Sequence, residues 1–160
     1  MPVHSYDIQN LTSQISGQPE MYFGSQPLDN NHFYLDEDEV KQIEANFPDA
    51  MKYIKVIVGA EEITTNKTRK ILDLNDSNVA DWDDVGVIKQ HVSDVKQWRL
   101  QQLDSSGQIK PTYKKLAKTP WKYETYNNRP GRHIMLPRQS SGNREYIPMK
   151  IYEEGILSNA

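Results

Sequence analysis

Apolar positions along this chain mark alternating helical and extended segments. The strongest periodicity runs from Val85 to Leu103. Val85, Ile88, Val92 and Val95 recur at intervals of three and four, with Leu103 further on, which puts one apolar face on an amphipathic helix. Lys89, Lys96 and Arg99 are expected largely off that stripe, and Trp98 is expected to finish the core rather than stack on a partner. A second helix is predicted from Asp36 to about Asn46. Its first acids, Asp36 to Glu39, oppose the positive end of the helix dipole, and Val40, Ile43 and Phe47 supply its apolar stripe. Consecutive acids on a helix point in different directions, so they do not read as a cation site. Pro48 opens a short helix, Asp49 to Ile54, and Pro111 opens another, Thr112 to Lys118, which Pro120 ends.

Extended runs fill the intervals. Val56 to Val58 reads as a buried strand, with Arg69 to Leu74 as its hairpin partner after Gly59 to Ile63 and a polar turn around Asn66 and Lys67. Met21 to Phe23, His32 to Leu35 and Trp121 to Thr125 are further short strand candidates. Later, His133 to Leu136 and Tyr146 to Met149 flank a turn built from Ser140, Ser141, Gly142 and Asn143, with Arg138 before it and Arg144 after it. Residues 1–20 are polar and carry Gly17 and Pro19, a linker or lead-in to one domain over 21–160. The expected fold class is α+β: a twisted, mostly antiparallel sheet with several flanking helices in a single domain.

Composition narrows the class. A chain of 160 residues is long enough to bury a core, yet its mean hydropathy of −0.80 implies a large wet surface. Cysteine is absent, which removes disulfides and thiolate metal sites and fits a reducing compartment. No apolar run approaches a membrane span, and Met1 to Asn10 lacks the apolar centre of a signal peptide, so the cytoplasm is expected and no membrane partner. The net charge of −3 hides a split. Residues 1–88 carry 6 Lys and Arg against 16 Asp and Glu, a balance of −10, whereas residues 89–160 carry 13 against 6, a balance of +7. Such asymmetry fits a polyanion partner for the basic half, or an acidic half docked on a basic half within one fold.

Catalytic constellations are missing from the sequence. None of the 8 glycines forms a Gly-x-Gly, so no dinucleotide, phosphate or S-adenosylmethionine loop can be read. His4, His32, His91 and His133 lie far apart with no metal spacing, and no Gly-x-Ser-x-Gly elbow occurs. Pro48-Asp49 lacks the Glu-x-Lys of a nuclease, since Glu62 is followed by Ile63 and Thr64. No catalytic, cofactor-binding or metal residue is assigned. The remaining chemistry is that of the hairpin turn, where arginine and serine suit phosphate and base-edge contacts. A solvated surface turn is the plainer reading of that stretch alone.

Five stretches in order then carry a resemblance. Gly24-Ser25-Gln26-Pro27-Leu28-Asp29 is similar to a Gly-Ser-x-Pro-x-Asp pattern. Gly59-Ala60-Glu61-Glu62 follows with Arg69 and its strand, then the helix ending at Trp98-Arg99, then Leu116-Ala117-Lys118-Thr119-Pro120-Trp121. The closest stretch is Leu136 to Pro148, which resembles Pro-Arg-x-Ser-Ser-x-x-Arg-x-Tyr-Ile-Pro, departing at Gly142 and Asn143. Together they resemble the target-recognition region of the MmeI-like restriction–modification enzymes and related adenine-specific DNA methyltransferases. In that family a methyltransferase core binds S-adenosylmethionine and acts on a flipped adenine through Asn-Pro-Pro-Tyr, which this chain lacks. The resemblance implies a recognition domain of a larger adenine-N6 methyltransferase. It would bind duplex DNA beside the methyltransferase domain of the same polypeptide, with no cofactor of its own. Candidate DNA contacts are Arg138, Ser140, Ser141, Asn143 and Arg144 from the hairpin, with Lys114, Lys115, Arg129 and Arg132 nearby in sequence. The alternative is a protein-interaction module that docks its basic half on an acidic partner domain.

Overall fold

The computed structural model describes residues 17, 21–65, 67–129, 131–139, 143, 145–153 and 156–158. The chain runs β1 (Tyr34–Leu35), α1 (Glu37–Asn46), a 3-10 turn (Pro48–Tyr53), β2 (Ile54–Val58), α2 (Ala60–Thr65) and β3 (Arg69–Leu72). A further short 3-10 turn (Val79–Asp81), α3 (Gly86–Leu100), α4 (Pro111–Leu116), β4 (His133–Met135), β5 (Lys150–Tyr152) and β6 (Ile156–Ser158) follow. The mixed α+β class is as expected. Strands are ordered β1-β3-β2-β6, antiparallel except for the parallel β2–β6 pair, and β4 and β5 form a separate antiparallel ladder.

Local chemistry explains the helix starts. Asp36 caps α1, its Oδ1 accepting from the Asp38 and Glu39 amides at 3.0 and 2.8 Å, while Glu39 returns a bond to the Asp36 amide at 3.0 Å. Such a reciprocal cap stabilises a helix start by about 1 kcal/mol. Val40 and Ile43 of α1 and Ile88, Val92 and Val95 of α3 gather with Ile57, Ile71, Leu72 and Leu74 in one main core. Opposite side chains of β2 serve opposite faces: Ile57 enters this main core, while Val58 and Val56 meet Met135 and Tyr152 in a smaller cluster with Ile63. The β4–β5 ladder therefore sits on the second face of the sheet.

Several expectations are corrected. Between β2 and β3 the chain forms helix α2, where the residue pattern predicts only a polar turn around Asn66 and Lys67; Asn66 lies outside the described residues. The Glu62 carboxylate accepts the Gly59 amide at 2.7 Å, and the Thr64 and Thr65 hydroxyls bond carbonyls one turn back, closing this short helix. Met21 to Phe23 and Trp121 to Thr125 are not ladder strands; an isolated Gln26–Thr125 bridge is the pairing in that region. For the stretch around Lys122 the reason lies in Arg99, which is fully buried rather than solvated. Its guanidinium donates to Leu28 O (3.1 Å), Leu116 O (3.1 Å), Pro120 O (3.2 Å), Pro27 O (2.9 Å) and Lys122 O (2.9 Å). The carbonyls of Pro120 and Lys122 thus go to a side chain instead of a ladder. Trp98 is half-buried, its ring edge-on to Tyr113 of α4 at 5.5 Å.

The second hairpin strand is also displaced. β4 pairs with Lys150–Tyr152, not with Tyr146 to Met149, in the register His133↔Tyr152, Ile134↔Ile151 and Met135↔Lys150. Pro148 has no amide to give a ladder, and the observed register turns Met135 and Tyr152 together onto Val58. The expected linker over 1–20 lies, apart from Gly17, outside the described residues.

Candidate nucleic-acid interface

The irregular segment 21–26 runs beside the 125–133 loop and is fixed there by polar contacts. Asn127 Nδ2 donates to Phe23 O at 2.7 Å, the Asn127 amide donates to Ser25 Oγ at 3.0 Å, and that hydroxyl donates to Asn127 O at 3.2 Å. Tyr22 Oη lies 3.0 Å from His133 Nδ1, and His133 Nε2 lies 2.9 Å from Arg129 O. The two adjacent rings each carry an arginine. The Arg129 guanidinium carbon is 4.2 Å from the Tyr22 ring centre and that of Arg138 is 5.5 Å from the Phe23 ring centre. Beside them a cleft of about 920 Å³ opens between residues 21–24, the β2–α2 junction and β4, with Val58, Ile63 and Met135 among its apolar walls.

Each sequence candidate can now be placed. Arg138 is exposed at the cleft rim and Arg129 is exposed on its aromatic support. Arg132, also at the rim, is ion-paired with Glu153 at 3.1 Å, so part of its charge is locally answered. Asn143 is exposed in the connection between β4 and β5; Ser140, Ser141 and Arg144 of the same connection lie outside the described residues. Lys114 and Lys115 are exposed on α4, which packs on α3. No described hydrogen bond, ion pair or ring contact joins them to the hairpin. Sequence reasoning missed Tyr22, Phe23, Asn127 and His133. The available signal was a pair of adjacent aromatics in an otherwise polar stretch.

The charge split also resolves in space. Among the described residues, the ion pair crossing from the acidic to the basic half is Asp83–Lys89, and Glu39 Oε1 also lies 3.0 Å from His91 Nε2. Lys114, Lys115, Lys118 and Lys122 make none. Under the cleft, Glu62 is ion-paired with Arg69, whose guanidinium carbon lies 4.5 Å from the Tyr34 ring centre. Burial alone would raise the Glu62 carboxyl, but the Arg69 hydrogen bond and the Gly59 amide outweigh it and hold it below the ordinary range. Burial acts unopposed enough on Asp29 to raise it, although its Oδ2 accepts the Phe33 amide at 2.8 Å.

An apolar face completes the site. Ile134 and Ile151 are cross-strand partners 63% and 57% exposed on the outer side of the β4–β5 ladder, with Leu136 and Met149 also exposed.

The sequence comparisons bear on this geometry. A curated relative, DNA methyltransferase A of Bacillus subtilis (strain 168), is 29% identical over 153 residues, 95% of this chain but 17% of that protein. The Type IIL restriction-modification enzyme MmeI, solved in complex with DNA, superposes with a TM-score of 0.79 at 25% identity, covering 93% of this chain and 19% of that one. This chain thus spans less than a fifth of either relative's length. The family model described as "MmeI, target recognition domain" matches residues 2–160, and the chain belongs to that family.

Proposed function

We propose that this domain binds duplex DNA and reads a specific base sequence on behalf of a larger adenine-N6 DNA methyltransferase or restriction–modification enzyme. The observation that carries the reading is the cluster at the cleft rim. Arg138 stands there on Phe23 and Arg129 on the neighbouring Tyr22 ring, with Arg138 in the chain segment that leads to Ser140, Ser141, Asn143 and Arg144. Planar guanidiniums held in place suit bidentate bonding to phosphate oxygens or guanine edges. The unpaired lysines of α4, Lys114 and Lys115, add phosphate contacts that position without specifying. The family membership and the DNA-bound relative support the same reading.

S-adenosylmethionine belongs to the parent enzyme in this proposal. The residues of this chain do not fit it, because no Gly-x-Gly loop is present. The methyltransferase domain of the same polypeptide would hold the cofactor, in the cytoplasm. The outer face of β4–β5 favours a second, compatible role, since exposed apolar patches mark protein contacts more than nucleic-acid ones.

Titration of labelled duplex DNA by the chain, repeated across a salt series, tests the proposal. Binding at a roughly micromolar dissociation constant, with affinity falling steeply as salt rises, is the expected outcome. A flat titration at low salt, together with tight binding to an acidic protein, would replace it with the protein-interaction reading.

A further inference from the structure

From the paired cation–π contacts we infer that Tyr22 and Phe23 are positioning residues for DNA binding, each holding one arginine in place for the nucleic acid. The inference rests on the DNA-binding reading above and goes beyond it. Residues 22 and 23 are consecutive, yet each ring supports a different arginine, Arg129 at 4.2 Å and Arg138 at 5.5 Å. Segment 21–26 belongs to no ladder, so its placement depends on the Asn127 and His133 contacts and the Gln26–Thr125 bridge. Phe23 is 67% exposed, so its ring face is open to the Arg138 guanidinium.

A guanidinium held over a ring face keeps N–H donors that the ring itself does not use. Those are the donors that bond a phosphate or a guanine edge in bidentate fashion. A free arginine loses side-chain freedom when it binds, whereas a stacked one has lost much of it already. The rings act on DNA through the arginines, not by contact of their own.

A double-mutant cycle on duplex binding and its salt dependence tests this in the chain. Phe23→Leu is expected to weaken binding about three- to tenfold. The slope of log affinity against log salt should not change, because the Arg138 contact is still made. Arg138→Ala should weaken binding and reduce that slope by about one unit. With Arg138 removed, Phe23→Leu should have no further effect. Tyr22→Leu should weaken binding in the same way, and Tyr22→Phe, which keeps the ring but loses the hydroxyl contact with His133, should recover part of the loss. Additive losses from Phe23→Leu and Arg138→Ala would overturn the inference by making the ring a direct contact. Unaltered binding in both leucine variants, with Arg138→Ala still weakened, would overturn it while sparing the DNA-binding reading. Absence of any salt-sensitive duplex binding in the unsubstituted chain would overturn both. Thermal melts of the variants exclude unfolding as the cause of a loss.

Discussion

At the scale of single residues, Arg99 shows how a charge can organise backbone instead of facing water. All five guanidinium donors are matched to main-chain carbonyls, drawn from 27–28, from the end of α4 and from the turn after it. One of these carbonyls belongs to Leu28, which has φ of 52°, a left-handed conformation that a leucine adopts only when its surroundings impose it. Three of the stretches that carry the family resemblance, Gly24 to Asp29, Trp98-Arg99 and Leu116 to Trp121, therefore meet at one side chain. Burial lowers the Arg99 guanidinium to about 10, partly offset by the carboxylates of Asp29 and Glu124, so it remains charged at neutral pH. Replacing it by methionine keeps apolar bulk but leaves buried carbonyls without donors. Arg99→Met is expected to cost about 3–5 kcal/mol in urea denaturation. Arg99→Lys, with three donors on a single nitrogen, should recover only part of that loss. A loss under about 1 kcal/mol for Arg99→Met would show that the three segments hold together without it.

At the scale of elements, α2 depends on a charge pair for its link to the sheet. Glu62 is buried, accepts the Gly59 amide and pairs with Arg69 on β3, tying both ends of the β2–β3 connection. Its carboxyl is held below the unfolded value of 4.5, so its contribution is fully present above that pH and is lost as pH falls through the lower folded value. Glu62→Gln should therefore reduce stability near neutral pH by about 1–3 kcal/mol, moderated because Arg69 is partly solvated. The difference from the unsubstituted chain should vanish in strong acid, and denaturant titrations along a pH series measure it. A constant deficit at every pH would assign the loss to packing. What the sequence revealed about elements follows the range of the forces involved. The Asp36 cap, the α3 stripe and the β2–β3 pairing are local and legible. Arg99 stands four residues after Val95, on the stripe itself, but its charge argued for water, and only distant carbonyls make burial tolerable. Helix α2 and the β4–β5 register were hidden for the same reason: a glutamate paired with a residue seven positions on and a tyrosine seated on β2 leave no periodic trace. Of the interface, the arginines were visible as residue types, while the rings beneath them come from more than 100 positions away.

At the scale of the whole molecule, stability is unevenly divided between the two faces of the sheet. The main core gathers buried side chains from β1, α1, β2, β3 and α3, whereas the hairpin rests on Val58, Met135 and Tyr152 with Val56 and Ile63 beside them. Its outer face, with Ile134 and Ile151, stays mostly exposed among the described residues. Elements with few buried apolar contacts open at lower free energy than the global transition. The β4–β5 ladder, which carries the candidate DNA contacts, should therefore form a unit that opens separately from α3 and the β2–β3 pair. Met135→Ala removes a large part of its small core, and deletions of this kind cost roughly 2–5 kcal/mol. Hydrogen exchange should then speed up across 133–152 while protection across 86–100 is unchanged, because α3 shares no buried contact with Met135. Duplex DNA added to the unsubstituted chain should slow exchange in 133–152 first, since binding to the closed hairpin shifts its opening equilibrium. Parallel loss of protection in both segments after Met135→Ala would instead make the hairpin and the main core one cooperative unit, and the candidate interface would then open only together with α3.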